Sequence, residues 1–106
     1  MITVTTDNLT GYEITEVLGL VKGSSIRTKH LGKDIGAIFK SLVGGELRGY
    51  SELLEESREE ALSRLIRQAE ELGANAVVGL RFSSAQVMSG AAEFLVYGTA
   101  VRASRK

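Results

Sequence analysis

The sequence predicts an α+β domain in which an antiparallel sheet carries helices packed on one face. Three observations lead there. β-branched or alternating stretches occupy both ends of the chain. Two central segments switch to helical spacing. The resulting order is β-β-α-α-β-β, and strands grouped on either side of helices build segregated layers.

Each element has its own warrant. Residues 2–6, ITVTT, are β-branched throughout, and Asp7-Asn8 supplies the turn that ends them. Residues 12–21 alternate at first, Tyr12 and Ile14 against Glu13 and Thr15. From Val17 onward both faces turn apolar. Gly23-Ser24-Ser25 interrupts this strand, and Ile26-Arg27-Thr28 continues it beyond a bulge. Over residues 31–43, Leu31, Ile35, Ile38, Phe39 and Leu42 form one helical stripe, ended by Gly44-Gly45. Residues 50–72 form the longer helix, with a stripe of Tyr50, Leu53, Leu54, Ser57, Ala61, Leu65, Ala69 and Leu72. Ser51 is its expected N-cap, Glu60 and Arg64 an i,i+4 pair, and Gly73 its stop. In the strand at 76–83, Ala76, Val78, Leu80 and Phe82 share a face, and Val77 lies on the other beside Gly79. A turn around Ser89-Gly90 leads to the strand at 92–102. There Phe94, Val96 and Ala100 face one way, and Leu95, Tyr97, Thr99 and Val101 the other.

Composition narrows the function classes. At 106 residues the chain is one domain, residues 1–106. The formal net charge is zero, so nothing global recruits nucleic acid or an acidic membrane. The six aromatics, three Tyr and three Phe, do not interleave with basic residues as a nucleic-acid stacking platform would. No cysteine is present, which excludes disulfides, thiolate metal sites and cysteine catalysis. There is no signal-peptide pattern, and no apolar run approaches ~18 residues. A soluble cytoplasmic protein is expected.

The two-sided strands bear on assembly. A sheet covered on one face should alternate apolar and polar, but residues 17–21 and 94–101 are apolar on both sides. A chain this short offers too few elements for a third layer. The second face therefore calls for a neighbouring subunit, or for a sheet curled onto itself, and self-association is the expectation.

No reaction can be read. Gly19 to Ser25 lacks the spacing and lysine placement of a phosphate loop and reads as a glycine bend in a strand. Gly32-Lys33-Asp34 lacks the upstream glycine. His30 and Asp34, an i,i+4 pair, offer two metal ligands, with Glu46 or a neighbouring chain as source of a third. Ser24 and Ser25 have no evident base beyond His30, which speaks against a serine hydrolase. Glu16, Arg81 and Glu93 lie in strands, where cross-strand pairing is the simpler role and a carboxylate site at a subunit boundary the other. Charge segregates along the chain. Residues 22–40 carry five cations against Asp34, a net of +4, and residues 46–71 carry eight glutamates against four arginines, a net of −4. Such patches suit complementary subunits, or the basic one a small anion.

Val43-Gly44-Gly45-Glu46 with Gly49-Tyr50, then Leu72-Gly73-Ala74-Asn75-Ala76-Val77-Val78-Gly79, then Tyr97-Gly98-Thr99-Ala100-Val101, resemble the YbjQ-like family, over nearly the whole chain. These are small proteins carrying a heavy-metal-binding label. The resemblance implies a dodecin-like α+β subunit in a homo-oligomer, typically a pentameric ring, of unestablished function. Many relatives have a cysteine within the segment matching Glu16 to Gly19, where this chain has Leu18, and an Arg-Asp pair where this chain has Lys33-Asp34.

The expectation is a non-catalytic, cofactor-free homo-oligomer that binds or scaffolds, with neither nucleic acid nor membrane as partner. Lys33, Asp34, Gly44, Gly45 and Glu46 are its ligand-facing candidates. The alternatives are a divalent-metal protein using His30, Asp34 and Glu46, and an enzyme with carboxylates at a subunit boundary.

Overall fold

Period-two runs predict strands at both ends of the chain, and segments of 3.6 period lie between them. The computed structural model describes residues 1–28, 48–88 and 91–106. Its elements are β1 (Ile2–Thr3), β2 (Tyr12–Thr28), α1 (Arg48–Glu71), β3 (Ala76–Met88) and β4 (Ala91–Arg105). The class is α+β, as the sequence predicts. The order among described residues is β-β-α-β-β rather than β-β-α-α-β-β; the helix expected at 31–43 lies outside them.

The sheet is mixed, which corrects the antiparallel expectation. Its strand order is β1-β3-β4-β2. β4 pairs antiparallel with both β3 and β2, while β1 runs parallel to β3. The cause is the path of residues 4–11. They do not fold back as a hairpin, so β2 enters on the far side of β4 and β1 stays at the opposite edge.

β2 also differs from expectation. It is one strand of 17 residues, with continuous pairing from Gly19 to Thr28 and no break at Gly23-Ser25. The irregularities lie upstream, between Ile14 and Glu16 and between Val17 and Gly19, where Gly19 has φ 128°. Gly23 serves close approach instead. A Cβ there would run into the Ala61 carbonyl oxygen and lie 2.6 Å from the Leu65 nitrogen, so the backbone of α1 rests directly on the strand.

α1 packs over β2 and β4. Ala61, Leu65 and Ala69, a four-residue repeat on one face, are fully buried with Val21, Val77, Val96 and Ala100. The helix begins at Arg48, so Ser51 lies in its first turn and is not the N-cap. Glu60 and Arg64 pair at 3.2 Å, as expected. The stop is a Schellman motif: Gly73 has φ 85° and its N–H donates to the Glu70 carbonyl, while the Ala74 N–H donates to that of Ala69, both at 3.0 Å. α1 also reaches the free edge of β2. The Lys22 backbone N–H donates to Gln68 Oε1 at 2.7 Å, and Arg64 Nη1 donates to the Ser24 carbonyl at 2.6 Å.

A bulge at Gly79 divides β3. Its φ is 63°, and the register slips between Val78 and Arg81. Ala76 and Val78 join a cluster on the face away from α1, while Val77 and Leu80 join the helix-side core. Phe82 lies opposite Val96, also on the helix side. The expected grouping of Ala76, Val78, Leu80 and Phe82 on one face therefore fails after Val78, because one extra residue inverts the alternation. β4 has no such slip, and its two faces divide as predicted: Val96 and Ala100 in the helix-side core, Val101 in the opposite cluster.

That opposite, outer cluster comprises Leu9, Ala76, Val78, Val101 and Ala103, with Val4, Tyr12 and Ile14 packed against it. Its cover is the chain's own N-terminal segment, a partial third layer that the sequence reading did not anticipate. Hydrogen bonds hold the segment along β3: the Val4 N–H donates to the Val77 carbonyl at 3.0 Å and the Gly79 N–H to that of Thr6 at 2.8 Å. Asn75 continues the ladder with its side chain. Its Nδ2 donates to the Ala103 carbonyl and its Oδ1 accepts from the Ala103 N–H, both at 2.8 Å.

Candidate functional site

The residues singled out from sequence for ligand contact, Lys33, Asp34, Gly44, Gly45 and Glu46, and the metal candidate His30, all lie outside the described residues. The described part presents a surface instead, built by the register of the three long strands.

Past the N-terminal cover, the outer face of the sheet has no further layer among the described residues. Val17 pairs with Val101, Leu20 with Thr99 and Lys22 with Tyr97, which puts Val17, Leu20, Lys22 and Tyr97 on that face; Ile26 follows at the same period. Val17 and Leu20 are each 68% exposed, Ile26 57% and Tyr97 40%. Isolated exposed apolar side chains are ordinary, but these share one face of adjoining strands.

Two cations flank the aromatic. Tyr97 is the register partner of Lys22 on one side and of Arg81 on the other. Arg81 is held in place, since its Nη1 donates to the Thr5 carbonyl at 2.7 Å and to that of Leu80 at 2.9 Å. Its role is thus to tie the N-terminal segment to β3, where simple acid pairing was expected. Glu16 stands opposite Arg102 in register, but the Arg102 guanidinium donates to the Gly73 carbonyl at 3.2 Å. Glu93 stands opposite Ile26 on one side and Ala85 on the other.

The other face carries acid. Glu55, Glu56, Glu59 and Glu60 line one depression along α1, and Glu59, Leu62, Ile66 and Glu70 contribute to another. Toward β3 the half-exposed Phe82 lines a depression together with Glu55, Arg58 and Glu59, and Arg58 also sits 5.7 Å over the Phe94 ring. Between α1 and β2, Ser25 Oγ donates to Glu60 Oε1 at 2.9 Å, in a seam where Ser25 and Ser57 are buried. The segment Gly19–Ser25, weighed as a phosphate loop, is a strand packed under a helix.

A thiolate site for a soft metal does not fit this chain, which has no cysteine to supply it. Among the described residues no three His, Asp or Glu side chains converge as a ligand set. No helix among them is long and apolar enough to cross a membrane.

Comparison with known proteins agrees with this architecture. The profile of the family described as "Putative heavy-metal-binding" matches residues 1–104. A UPF0145 protein of Fervidobacterium nodosum is 63% identical over 102 residues, 96% of this chain and 94% of that one. Another, from Clostridioides difficile, is 61% identical over 101 residues, covering 95% and 90%. A third, from Thermosipho africanus, is 58% identical over 102 residues, covering 96% and 94%. Among solved structures, a protein of unknown function from Pediococcus pentosaceus, placed in the DUF74 family, superposes with a TM-score of 0.67 over 98% of both chains at 18% identity, a likeness of fold. By its matched profile and these relatives, the chain belongs to the YbjQ-like family of UPF0145 proteins.

Proposed function

We propose that the protein is a non-catalytic homo-oligomer, a ring of five dodecin-like subunits in the cytoplasm, that binds or scaffolds through the assembled ring. The observation that carries this reading is the run of exposed Val17, Leu20, Ile26 and Tyr97 on a sheet face that has no cover among the described residues. The shape supports it. The chain measures 53 × 22 × 16 Å with a radius of gyration of 17.1 Å. A compact chain of this length comes near 13 Å. An elongated two-layer subunit gains burial by stacking on copies of itself. The test is size-exclusion chromatography with light scattering at micromolar concentration. A ring of five elutes with five times the 11.4 kDa chain mass; a monomer overturns the reading.

The family description favours a second reading, divalent-metal binding. His30, Asp34 and Glu46 are the candidate ligands for it, an imidazole and two carboxylates suiting zinc or nickel. Calorimetry with zinc and nickel on the wild type and on His30→Ala decides: saturable heat lost in the variant supports metal binding, and equal weak heats in both end it.

A further inference from the structure

The outer sheet face and the flank of α1 differ in charge: around Tyr97 the face carries two cations, with Glu93 farther along, and the flank is mainly acidic. The face presents Tyr97 between Lys22 and Arg81, with Leu20 beside it. The flank presents half-buried Leu62 and Ile66 beside Glu59, Glu70 and Arg67, with Glu55 in the adjoining depression that Glu59 shares. The side chains of residues 54–71 include six glutamates and three arginines, and two of those arginines are already engaged, Arg64 on Glu60 and Ser24, Arg58 over Phe94.

The geometry points to a head-to-tail contact: the outer sheet face of one copy docks on the α1 flank of the next. This rests on the self-assembly proposed above and names its two surfaces. The competing arrangement stacks two outer faces about a two-fold axis. With the axis passing near Tyr97, it would set Lys22 and Arg81 of each copy against the same cations of the other, a like-charge juxtaposition that disfavours it. Docking on the α1 flank sets them against Glu55 and Glu59 and covers Tyr97 and Leu20 with Leu62 and Ile66. A contact between two different surfaces of one chain closes into a ring of any order when its rotation permits, fivefold included.

Charge reversal separates the possibilities. In light scattering over a dilution series, Lys22→Glu and the pair Glu55→Lys/Glu59→Lys should each raise the concentration of half-assembly by about tenfold. All three reversals in one chain should bring it back to within about threefold of wild type. Absence of that recovery, or tighter assembly of Lys22→Glu alone, overturns the head-to-tail contact. A second measurement survives misfolding of these variants. The chain has no cysteine, so Leu20→Cys and Ile66→Cys are unique reporters. Co-expressed, the two should cross-link to each other through a short bismaleimide, and neither should cross-link alone. Cross-linking of Leu20→Cys by itself overturns the proposal in favour of face-to-face packing. A monomeric wild type would instead end the self-assembly reading itself, whereas an oligomer showing neither effect ends only the head-to-tail contact.

Discussion

The two halves of the outer sheet face are built from the same material and finished differently. In the half near the chain termini, Ala76, Val78, Val101 and Ala103 are covered by Leu9 and Val4 from the chain's own N-terminal segment. Farther along the same strands, Val17, Leu20, Ile26 and Tyr97 have no such cover among the described residues. One half contributes to the stability of the folded chain, and the other is the half that the proposed assembly would use. Mutations should sort by half: those under intramolecular cover lower stability at every concentration, and those on the open half alter assembly.

The largest effect belongs to the helix side, as a reference for what intramolecular burial is worth. Gly23→Ala inserts a methyl group into the backbone of α1, which cannot yield as a side chain would. We expect a loss of about 3 kcal/mol in denaturant unfolding, since overpacking against a rigid neighbour forces the elements apart. Leu9→Ala comes next. It strips the cover from the terminal half and should cost about 2–3 kcal/mol, with a midpoint shift that does not depend on protein concentration. A shift that vanishes on dilution would show that Leu9 acts through assembly and would break the comparison. Asn75→Ala removes both side-chain bonds to Ala103 and leaves partly buried backbone groups without them. About 1.5 kcal/mol is expected, with faster amide exchange at Ala103 measured by NMR. The smallest effect on the folded chain should be that of Leu20→Ser, within about 0.5 kcal/mol under dissociating conditions. Light scattering of the same variant should show a smaller mass than wild type at micromolar concentration.

Legibility from the sequence followed the same physical lines. The stop of α1 at Gly73, the Glu60–Arg64 pair and both faces of β4 could be read, because each depends on local spacing alone. β3 was misread beyond Val78. A bulge inverts the alternation, and its signal, a glycine within an apolar run, also fits a close packing contact, which is the role Gly23 plays in β2. The parallel pairing of β1 and the cover supplied by Leu9 depend on where distant strands come to lie, which no local pattern carries. The ladder made by the Asn75 side chain was hidden for the same reason: asparagine after a helix stop reads as a turn former. For the site, the two-sided pattern of residues 17–21 and 94–101 pointed to a surface, and part of that surface proved to be occupied from within. The candidates His30, Lys33, Asp34, Gly44, Gly45 and Glu46 lie outside the described residues, so their roles rest on sequence and on the experiments above.

The hold of Arg64 and Gln68 on the outward backbone groups of Ser24 and Lys22 has a consequence for how copies of this chain accumulate. An unprotected strand edge invites the next chain to pair with it, and a sheet open at both sides can lengthen into a fibre without limit. Here the helix stops one side of the sheet at its middle, where β2 would otherwise present those groups to solvent. Stacking strand on strand through that side would require α1 to lift first, breaking the packing of Leu65 and Ala61. The fold thereby guards against edge-to-edge growth on that side, with strand addition checked by two side chains one helical turn apart.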